Sequence, residues 1–150
     1  MATAPHPSPV RTLLKREESY AIHALLYVHE YPGASAAQIA ADLQLPAAFT
    51  AKVLRRLAEA GYVESRKGRS GGVRLARALA ELTLLDVIET MSGAVIIDTC
   101  QTRGRCATQV RTGSCSLNTI WFALSLQFRE ALAAVRLDAL ANDPHEVLPA

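Results

Sequence analysis

The sequence predicts a mainly α-helical protein with one small two-stranded β-hairpin, and three observations support this fold class. Alanine and leucine are abundant whereas aromatic residues make up 5% of the chain, which favours helices over a large sheet. Apolar residues recur at helical spacing along most of the chain, and a glycine-rich stretch between residues 62 and 75 is typical of a hairpin. With 150 residues, half of them hydrophobic, the chain can bury one domain core and add one projecting element.

Three helices are expected in the N-terminal part of the chain, in the order of a helix-turn-helix. The first covers residues 14–31, the second covers 36–43, and the third runs from Pro46 to about residue 60. Ser35 and Gln38 have the spacing of a capping box, which predicts the start of the second helix. Many helical hairpins never touch DNA, so this pattern alone leaves both a DNA-binding and a purely structural interpretation open.

The third helix has two contrasting faces. The face expected to be buried is apolar and consists of Phe49, Val53, Leu54 and Leu57. The opposite face is small, polar and basic. A face of this kind can approach the major groove, where threonine and lysine reach base edges and alanine contacts thymine methyl groups. The candidate DNA contacts on this helix are Ala47, Ala48, Thr50, Ala51, Lys52 and Arg55.

A basic hairpin follows the third helix directly. Residues 62–65 and 73–75 are predicted strands, and the turn between them is rich in glycine. The stretch from Arg66 to Arg77 contains five basic residues and no acidic one. Glycines permit close approach and guanidinium groups neutralise charge, so the hairpin suits a phosphate backbone or a minor groove, although an ordinary basic surface is the alternative. The candidate DNA contacts of the hairpin are Arg66, Lys67, Arg69 and Arg74.

Helix, turn, helix and basic hairpin together predict a winged helix-turn-helix domain over residues 13–93, after a disordered tail at 1–12. The charge distribution agrees, because residues 1–80 hold eleven Lys or Arg against six Asp or Glu, while residues 81–150 hold five against eight. A basic half favours a polyanion as partner, although a solvated basic face would have the same composition.

The C-terminal part contains the longest apolar periodicity of the chain. A short helix is expected from the capping box of Thr83 and Asp86 to Gly93. After a cysteine-containing sensor loop at 94–116, one helix of about 25 residues is expected over 117–141, before a tail at 142–150. The remaining chain is too short to cover this helix, so we expect a homodimer with these helices packed across a two-fold axis; packing onto the first helix is the alternative. The candidate interface residues are Leu117, Ile120, Trp121, Leu124, Phe128 and Leu132.

The segment at 94–116 contains all three cysteines of the chain, Cys100, Cys106 and Cys115. They lie among Gly, Thr, Ser and Arg rather than among apolar neighbours, so thiolate chemistry explains them better than packing. The sequence shows neither a signal peptide nor a membrane-spanning stretch, which predicts a cytoplasmic protein with reduced cysteines. An odd number of thiols in that setting favours a metal, a cluster or a redox sensor, and their spacing disfavours structural zinc.

With these features combined, the chain resembles the Rrf-two (Rrf2) family of bacterial winged-helix regulators, and within it the iron–sulfur members of the IscR and NsrR type. The resemblance covers about residues 13–140, and its specific parts are the hairpin stretch Gly68–Leu75 and the three cysteines followed by Trp121. It implies that Cys100, Cys106 and Cys115 hold an iron–sulfur cluster, 2Fe-2S or 4Fe-4S, whose presence or state sets the affinity for palindromic promoter DNA. Thiolates are the usual ligands of such clusters, so the residue types agree.

The chain departs from the family pattern in the cysteine spacing and in the fourth ligand. Eight residues separate the second and third cysteines where five are usual. Asn118 stands where IscR-like proteins have a histidine, and Ser19 stands where NsrR-like proteins have an aspartate that reaches the other subunit. Glu18, one position earlier, is the candidate fourth ligand, and His23 and His29 are alternatives.

We therefore expect a homodimeric transcriptional regulator that binds double-stranded promoter DNA under the control of an iron–sulfur cluster. One alternative is a regulator of the same fold whose cysteines form a cluster-free thiol–disulfide switch. A second alternative is a small iron–sulfur electron carrier, which leaves the basic hairpin unexplained. The sequence shows no nucleophile–base pair, phosphate loop or paired acids that would predict an enzyme.

Overall fold

Seven α-helices, two 3₁₀ turns and one antiparallel hairpin form residues 10–142, the part of the chain that the structure, a computed structural model, describes. The N-terminal elements are α1 (Arg16–Glu30), α2 (Ala36–Asp42), α3 (Ala47–Glu59), β1 (Val63–Arg66) and β2 (Gly72–Leu75). The C-terminal elements are α4 (Leu84–Ser92), α5 (Ala107–Thr112), α6 (Ser116–Ala133) and α7 (Leu137–Asn142). The predicted fold class is confirmed. The tails expected at 1–12 and 142–150 fall mostly on residues 1–9 and 143–150, which lie outside the described residues.

Capping side chains set the starts of two helices. At α2, Ser35 Oγ accepts the Gln38 backbone N–H at 3.1 Å, and Gln38 Oε1 accepts the Ser35 N–H at 2.8 Å. Thr83 and Asp86 make the same pair of bonds at the start of α4. Both predicted capping boxes are therefore confirmed, and a cap of this kind contributes about 1 kcal/mol. α3 starts one residue later than expected, because Pro46 is its N-cap.

The core is built around α1. Ala21, Leu25 and Val28 on this helix are fully or almost fully buried. The buried stripe of α3 packs against them and is confirmed for Val53, Leu54 and Leu57, while Phe49 is half-buried. The hairpin and α4 contribute the remaining core side chains named here, Val63, Val73, Val87 and Met91. Because replacing a buried leucine with alanine costs about 2–5 kcal/mol, this packing holds α3 and α4 firmly on α1.

The hairpin is attached to the core at its base. β1 and β2 pair in antiparallel register over their whole lengths. β2 is also bonded to the turn after α1, where the Gly33 N–H reaches the Val73 carbonyl and the Val73 N–H reaches the Ala34 carbonyl, each at 2.8 Å. Gly72 has a φ of +100°, and a Cβ on it would lie 2.0 Å from the Gly33 carbonyl oxygen. Only glycine fits there, so this position fixes how the hairpin leaves the core.

The prediction of a single helix over 117–141 is wrong in the length of that helix. α6 has 18 residues, and the chain turns before α7 begins at Leu137. The Leu84 N–H bonds the Val135 carbonyl at 3.0 Å, and the Leu137 N–H bonds the Leu82 carbonyl at 2.9 Å. Leu137 is fully buried. The break therefore gains backbone bonds and a core side chain that a straight helix would leave in water.

As a result, α7 belongs to the helical body built around α1 and not to the predicted dimerisation helix. Leu140 packs against the core, and α7 lies beside the C-terminal half of α1, near Leu26. The alternative prediction, in which the C-terminal helix packs onto the first helix, is therefore correct for α7 but not for α6. None of the helices between residues 10 and 142 is long and apolar enough to cross a membrane.

The cysteine segment contains more structure than the expected loop. Residues Thr99–Gln101 form a 3₁₀ turn, and α5 follows six residues later in the middle of the segment. Cys106 is the N-cap of α5, and Gln109 Oε1 accepts the Cys106 N–H at 3.1 Å. Gly113, with a φ of +81°, ends the helix. The cysteine-to-glutamine capping box was not recognised in the sequence because cysteine is an uncommon N-cap residue.

Candidate nucleic-acid interface and cysteine segment

The outer face of α3 is exposed and consists mainly of small side chains. Five of the six predicted contacts on this helix lie at the surface: Ala47, Ala48, Ala51, Lys52 and Arg55. Arg55 Nε is 2.9 Å from Glu59 Oε1, and both side chains are exposed, so water screens this ion pair and leaves it weak. α3 therefore presents methyl groups close to its backbone, with cations beside them.

Thr50, the sixth predicted contact, is a wrong prediction. It is 2% exposed, and its hydroxyl donates to the Pro46 carbonyl at 3.2 Å. A threonine that bonds back to the preceding turn of its helix is satisfied inside the fold, so it cannot reach a base edge. Arg56, which follows Arg55 in the sequence, also turns away from the outer face. Its guanidinium donates to the Met91 carbonyl near the end of α4.

The hairpin carries exposed cations at its tip. Arg66, Lys67 and Arg69 are exposed, and Arg66 Nη2 is 3.0 Å from Glu64 Oε1. Within residues 10–142, Lys67 and Arg69 form no salt bridge. Arg74 is half-buried and its guanidinium lies against Gly33 at the hairpin base. The two tip residues, Lys67 and Arg69, are therefore the cations most available to an anionic partner.

Cys100 and Cys115 lie together at the start of α6. Cys115 is the N-cap of that helix, and Asn118 Nδ2 donates to Cys100 Sγ at 3.4 Å and to the Cys100 carbonyl at 3.3 Å. The bond from Asn118 by itself lowers the pKa of the Cys100 thiol. Partial burial, Asp98 and the charge of Cys115 outweigh it, so this pKa lies above its ordinary value. Cys100 is consequently a weak nucleophile near neutral pH.

Cys106 lies in a different environment. It is exposed at the start of α5, away from the enclosed end of α6. The backbone N–H of Gln109 and, to a smaller extent, that of Thr108 donate to its sulfur, so the pKa of the Cys106 thiol lies below its ordinary value despite some desolvation. The segment thus combines one reactive surface thiol with two partly enclosed ones.

The four predicted metal ligands do not form one site within a single chain. Between residues 10 and 142 no group of three His, Cys, Asp or Glu side chains is arranged to hold a metal ion. Glu18 is 4% exposed, and its carboxylate accepts the Lys15 N–H at 2.7 Å. It borders a cavity of about 190 Å³ beside Ser92 rather than the cysteines. The alternatives His23 and His29 are exposed on α1.

Glu89 joins α4, α6 and the start of the cysteine segment. Its carboxylate pairs with the Arg129 guanidinium of α6, with Nη2 and Oε2 3.4 Å apart, and its Oε1 accepts the Val95 N–H at 2.9 Å. Two residues further along α4, the Met91 carbonyl accepts a hydrogen bond from the Arg56 guanidinium of α3. Bonded groups therefore connect the cysteine segment to α3 through α4. No local sequence signal predicts the ion pair, because its partners are 40 residues apart.

α6 exposes apolar side chains that its own chain does not cover. Five of them are at least 40% exposed: Leu117, Ile120, Phe122, Leu124 and Leu126. Phe122 and Leu126 fall outside the predicted interface set, since they lie on another side of the helix. The other predicted interface residues are partly covered by their own chain: Trp121, Phe128 and Leu132. An open groove of about 580 Å³ between α6 and residues 95–97 adjoins this surface.

Comparisons with known proteins agree with these features. A family model described as Rrf2, iron-dependent transcriptional regulator, matches residues 14–143. Protein aau3 of Rhizobium meliloti (strain 1021) is 30% identical over 131 residues, which cover 86% of this chain and 84% of that protein. A protein of Azotobacter vinelandii named as the HTH-type transcriptional regulator ORF2 is 28% identical over 122 residues, which cover 79% of this chain and 72% of that protein.

Solved structures show the same fold. CymR (YrzC), the global cysteine regulator of B. subtilis, superimposes with a TM-score of 0.69 at 18% identity, over 89% of this chain and 97% of that chain. IscR of T. potens superimposes with a TM-score of 0.69 at 18% identity, over 94% of each chain. The winged-helix architecture predicted from the sequence is thereby confirmed. The similar proteins whose names state a role are named as regulators and not as enzymes.

Proposed function

The chain belongs to the Rrf2 family of transcriptional regulators, and we propose that it binds palindromic promoter DNA as a homodimer whose affinity is set by an iron–sulfur cluster in the cysteine segment. The observation that carries the DNA part is the exposed face of α3 together with the tip cations Lys67 and Arg69, which form no salt bridge with any described residue. A helix with a small, accessible face and a neighbouring cationic hairpin can occupy a major groove and the adjacent backbone at the same time.

The two surfaces have different tasks in this proposal. On α3, Lys52 and Arg55 reach base edges, while Ala47, Ala48 and Ala51 bring methyl groups against thymine methyls. The hairpin tip binds phosphates or enters the minor groove, so it supplies affinity without reading sequence directly. Loss of a tip cation should therefore weaken binding to all sequences alike, whereas loss of Lys52 should change which sequence is preferred.

The Lys67→Ala variant tests the DNA assignment. We expect weaker binding to every sequence and a smaller slope of log affinity against log salt, by about 0.9 per lost phosphate contact and so by about 1.8 for two copies. Fluorescence anisotropy at several salt concentrations measures both quantities. The matched control is Arg136→Ala, which removes one charge from an arginine that is paired with Asp138 between α6 and α7. An unchanged slope for Lys67→Ala would contradict the role of the hairpin.

The uncovered apolar stripe of α6 supports the dimer. Leu117, Ile120 and Leu124 together offer a surface that is unusual on a monomer. α6 is about 27 Å long at 1.5 Å per residue, which is enough for a two-fold helix pair. Two α3 helices related in this way would read half-sites about 34 Å apart, one turn of the duplex.

The donor chemistry of the cysteine segment supports a cluster. Cys100, Cys106 and Cys115 would hold it, since thiolates are the usual iron–sulfur ligands. Cys100 and Cys115 both lie near the first turn of α6, and open space around Gly104 and Gly113 leaves room for the segment between them to bring Cys106 closer. Glu18 of a second subunit is the proposed fourth ligand, and this role requires its buried carboxylate to leave the Lys15 N–H and turn outward. When bound, the cluster supplies a group that responds to redox state, nitric oxide or iron–sulfur supply.

The bonds around Glu89 provide a route from the segment to DNA. Val95, at the start of the segment, and Arg129 on α6 both bind the Glu89 carboxylate, while Arg56 of α3 binds the carbonyl of Met91. A rearrangement of the cysteines displaces Val95 or α6, and α4 transmits it to α3 of the same chain and changes its position. The proposal requires two states with different DNA affinity, because a ligand shifts an equilibrium only through such a difference.

A cluster-free thiol switch is the second candidate, favoured by the nearness of Cys115 to Cys100, which its charge influences. Two-electron oxidation by a peroxide would remove both thiol hydrogens and join the sulfurs. Anaerobic purification followed by an absorption spectrum and by iron and sulfide analysis separates the two candidates. Iron and sulfide in equal amounts support the cluster. A colourless protein that binds no iron, and whose mobility on a non-reducing gel changes with oxidant, supports the switch.

A further inference from the structure

We propose that Arg16 is an additional DNA contact that binds a backbone phosphate beside the N-terminal end of α3, an inference that rests on the proposed DNA-binding function. Arg16 is the first residue of α1 and is exposed. It belongs neither to the outer face of α3 nor to the hairpin, so it would add a third point of attachment on another element.

Two aromatic rings hold the Arg16 guanidinium next to α3. Its Cζ is 5.5 Å from the ring centroid of Tyr20 and 5.3 Å from that of Phe49. The two rings meet edge to face, with centroids 6.0 Å apart and an interplanar angle of 87°. Phe49 is the third residue of α3, so the cation lies beside the end of the helix whose first residues enter the groove in a helix-turn-helix.

No acidic side chain between residues 10 and 142 forms a salt bridge with Arg16. The salt bridges between described residues engage five other arginines, namely Arg55, Arg66, Arg77, Arg129 and Arg136. An arginine stacked on rings keeps its N–H donors free at the edge of the guanidinium plane. A phosphate is the ligand that matches this arrangement, because the fork of donors binds two of its oxygens at once.

The rings also explain why this arginine would bind better than a mobile surface cation. A free arginine side chain loses conformational entropy when it is immobilised at an interface. Contacts with Tyr20 and Phe49 restrict Arg16 before DNA arrives, so less entropy remains to be lost. Neither ring reads a base in this arrangement, and the contact should therefore be independent of sequence.

Arg16→Ala is the direct test, with the full-length protein and both a specific and an unrelated duplex. We expect affinity for both duplexes to fall at least about tenfold at low salt, and the salt slope to fall by about 0.9 per copy. Arg16→Lys should keep most of the slope, because it keeps the charge. Arg136→Ala serves again as the control for loss of one positive charge and should leave the slope unchanged.

Tyr20→Leu separates binding from a purely structural role, since it removes one ring and keeps the charge. We expect several-fold weaker binding with an unchanged salt slope. If Arg16→Ala lowers the melting temperature while affinity and slope stay at the wild-type values, Arg16 only joins α1 to α3 and the inference is overturned. If the wild-type protein binds no DNA at all, the proposed function itself fails, and that result is recognised before any variant is compared.

Discussion

The three cysteines lie within sixteen residues, yet their surroundings make them chemically unequal. Cys106 is exposed, and the backbone N–H groups of Gln109 and Thr108 lower the pKa of its thiol. Cys100 is half-buried against Asn118, and the pKa of its thiol is raised. Backbone hydrogen bonds lower the pKa of Cys106, whereas at Cys100 the lowering effect of Asn118 is outweighed by partial burial, Asp98 and Cys115.

Alkylation of the metal-free protein tests this difference. At neutral pH we expect Cys106 to react first and Cys100 last, since the thiolate is the reactive form and a lowered pKa raises its fraction. As pH rises, the alkylation rate of Cys106 should level off at a lower pH than that of an unperturbed cysteine. The rate of Cys100 should level off at a higher pH. Arg103, Arg105 and Arg111 let trypsin separate the three cysteines for mass spectrometry. Denatured protein is the control, and equal native rates for Cys100 and Cys106 would refute the assignment.

Among the elements, α6 shows how far helical periodicity can be used as a predictor. The pattern predicted an apolar stripe, and Leu117, Ile120 and Leu124 on that stripe are indeed uncovered. The pattern did not predict the end of the helix, because an apolar residue at helical spacing does not show whether it faces a partner or its own core. Leu137 faces the core, and the chain bends so that it can be buried there.

A charge on the exposed stripe of α6 should prevent dimer formation. In Leu124→Glu, each subunit would place an unpaired carboxylate in the apolar interface, so we expect monomers at micromolar concentration and weak DNA binding. Analytical ultracentrifugation measures the mass. Thr119→Glu is the matched control, because this exposed position lies on another side of α6 and loses no apolar contact. A Leu124→Glu protein that still sediments as a dimer would place the interface elsewhere.

For the whole molecule, the sequence predicts the winged-helix body well because its signals are local. Capping residues, a turn proline and a glycine-rich basic hairpin each act within a few positions, and the structure confirms them. Contacts between distant residues were not predictable in this way. The Glu89–Arg129 pair, the burial of Thr50 against Pro46 and the ring-held Arg16 all depend on how the helices pack. Those contacts include the proposed path from the cysteine segment to DNA.

The central claim is that the state of the cysteine segment changes how tightly the dimer holds its promoter. The most direct measurement is an anaerobic DNA-binding isotherm of the reconstituted protein before and after removal of iron and sulfide, with Cys106→Ser in parallel. We predict at least about a tenfold difference between the two wild-type forms, equivalent to about 1.4 kcal/mol, and no difference for the variant. Equal affinity of the loaded and stripped wild-type protein would contradict the account.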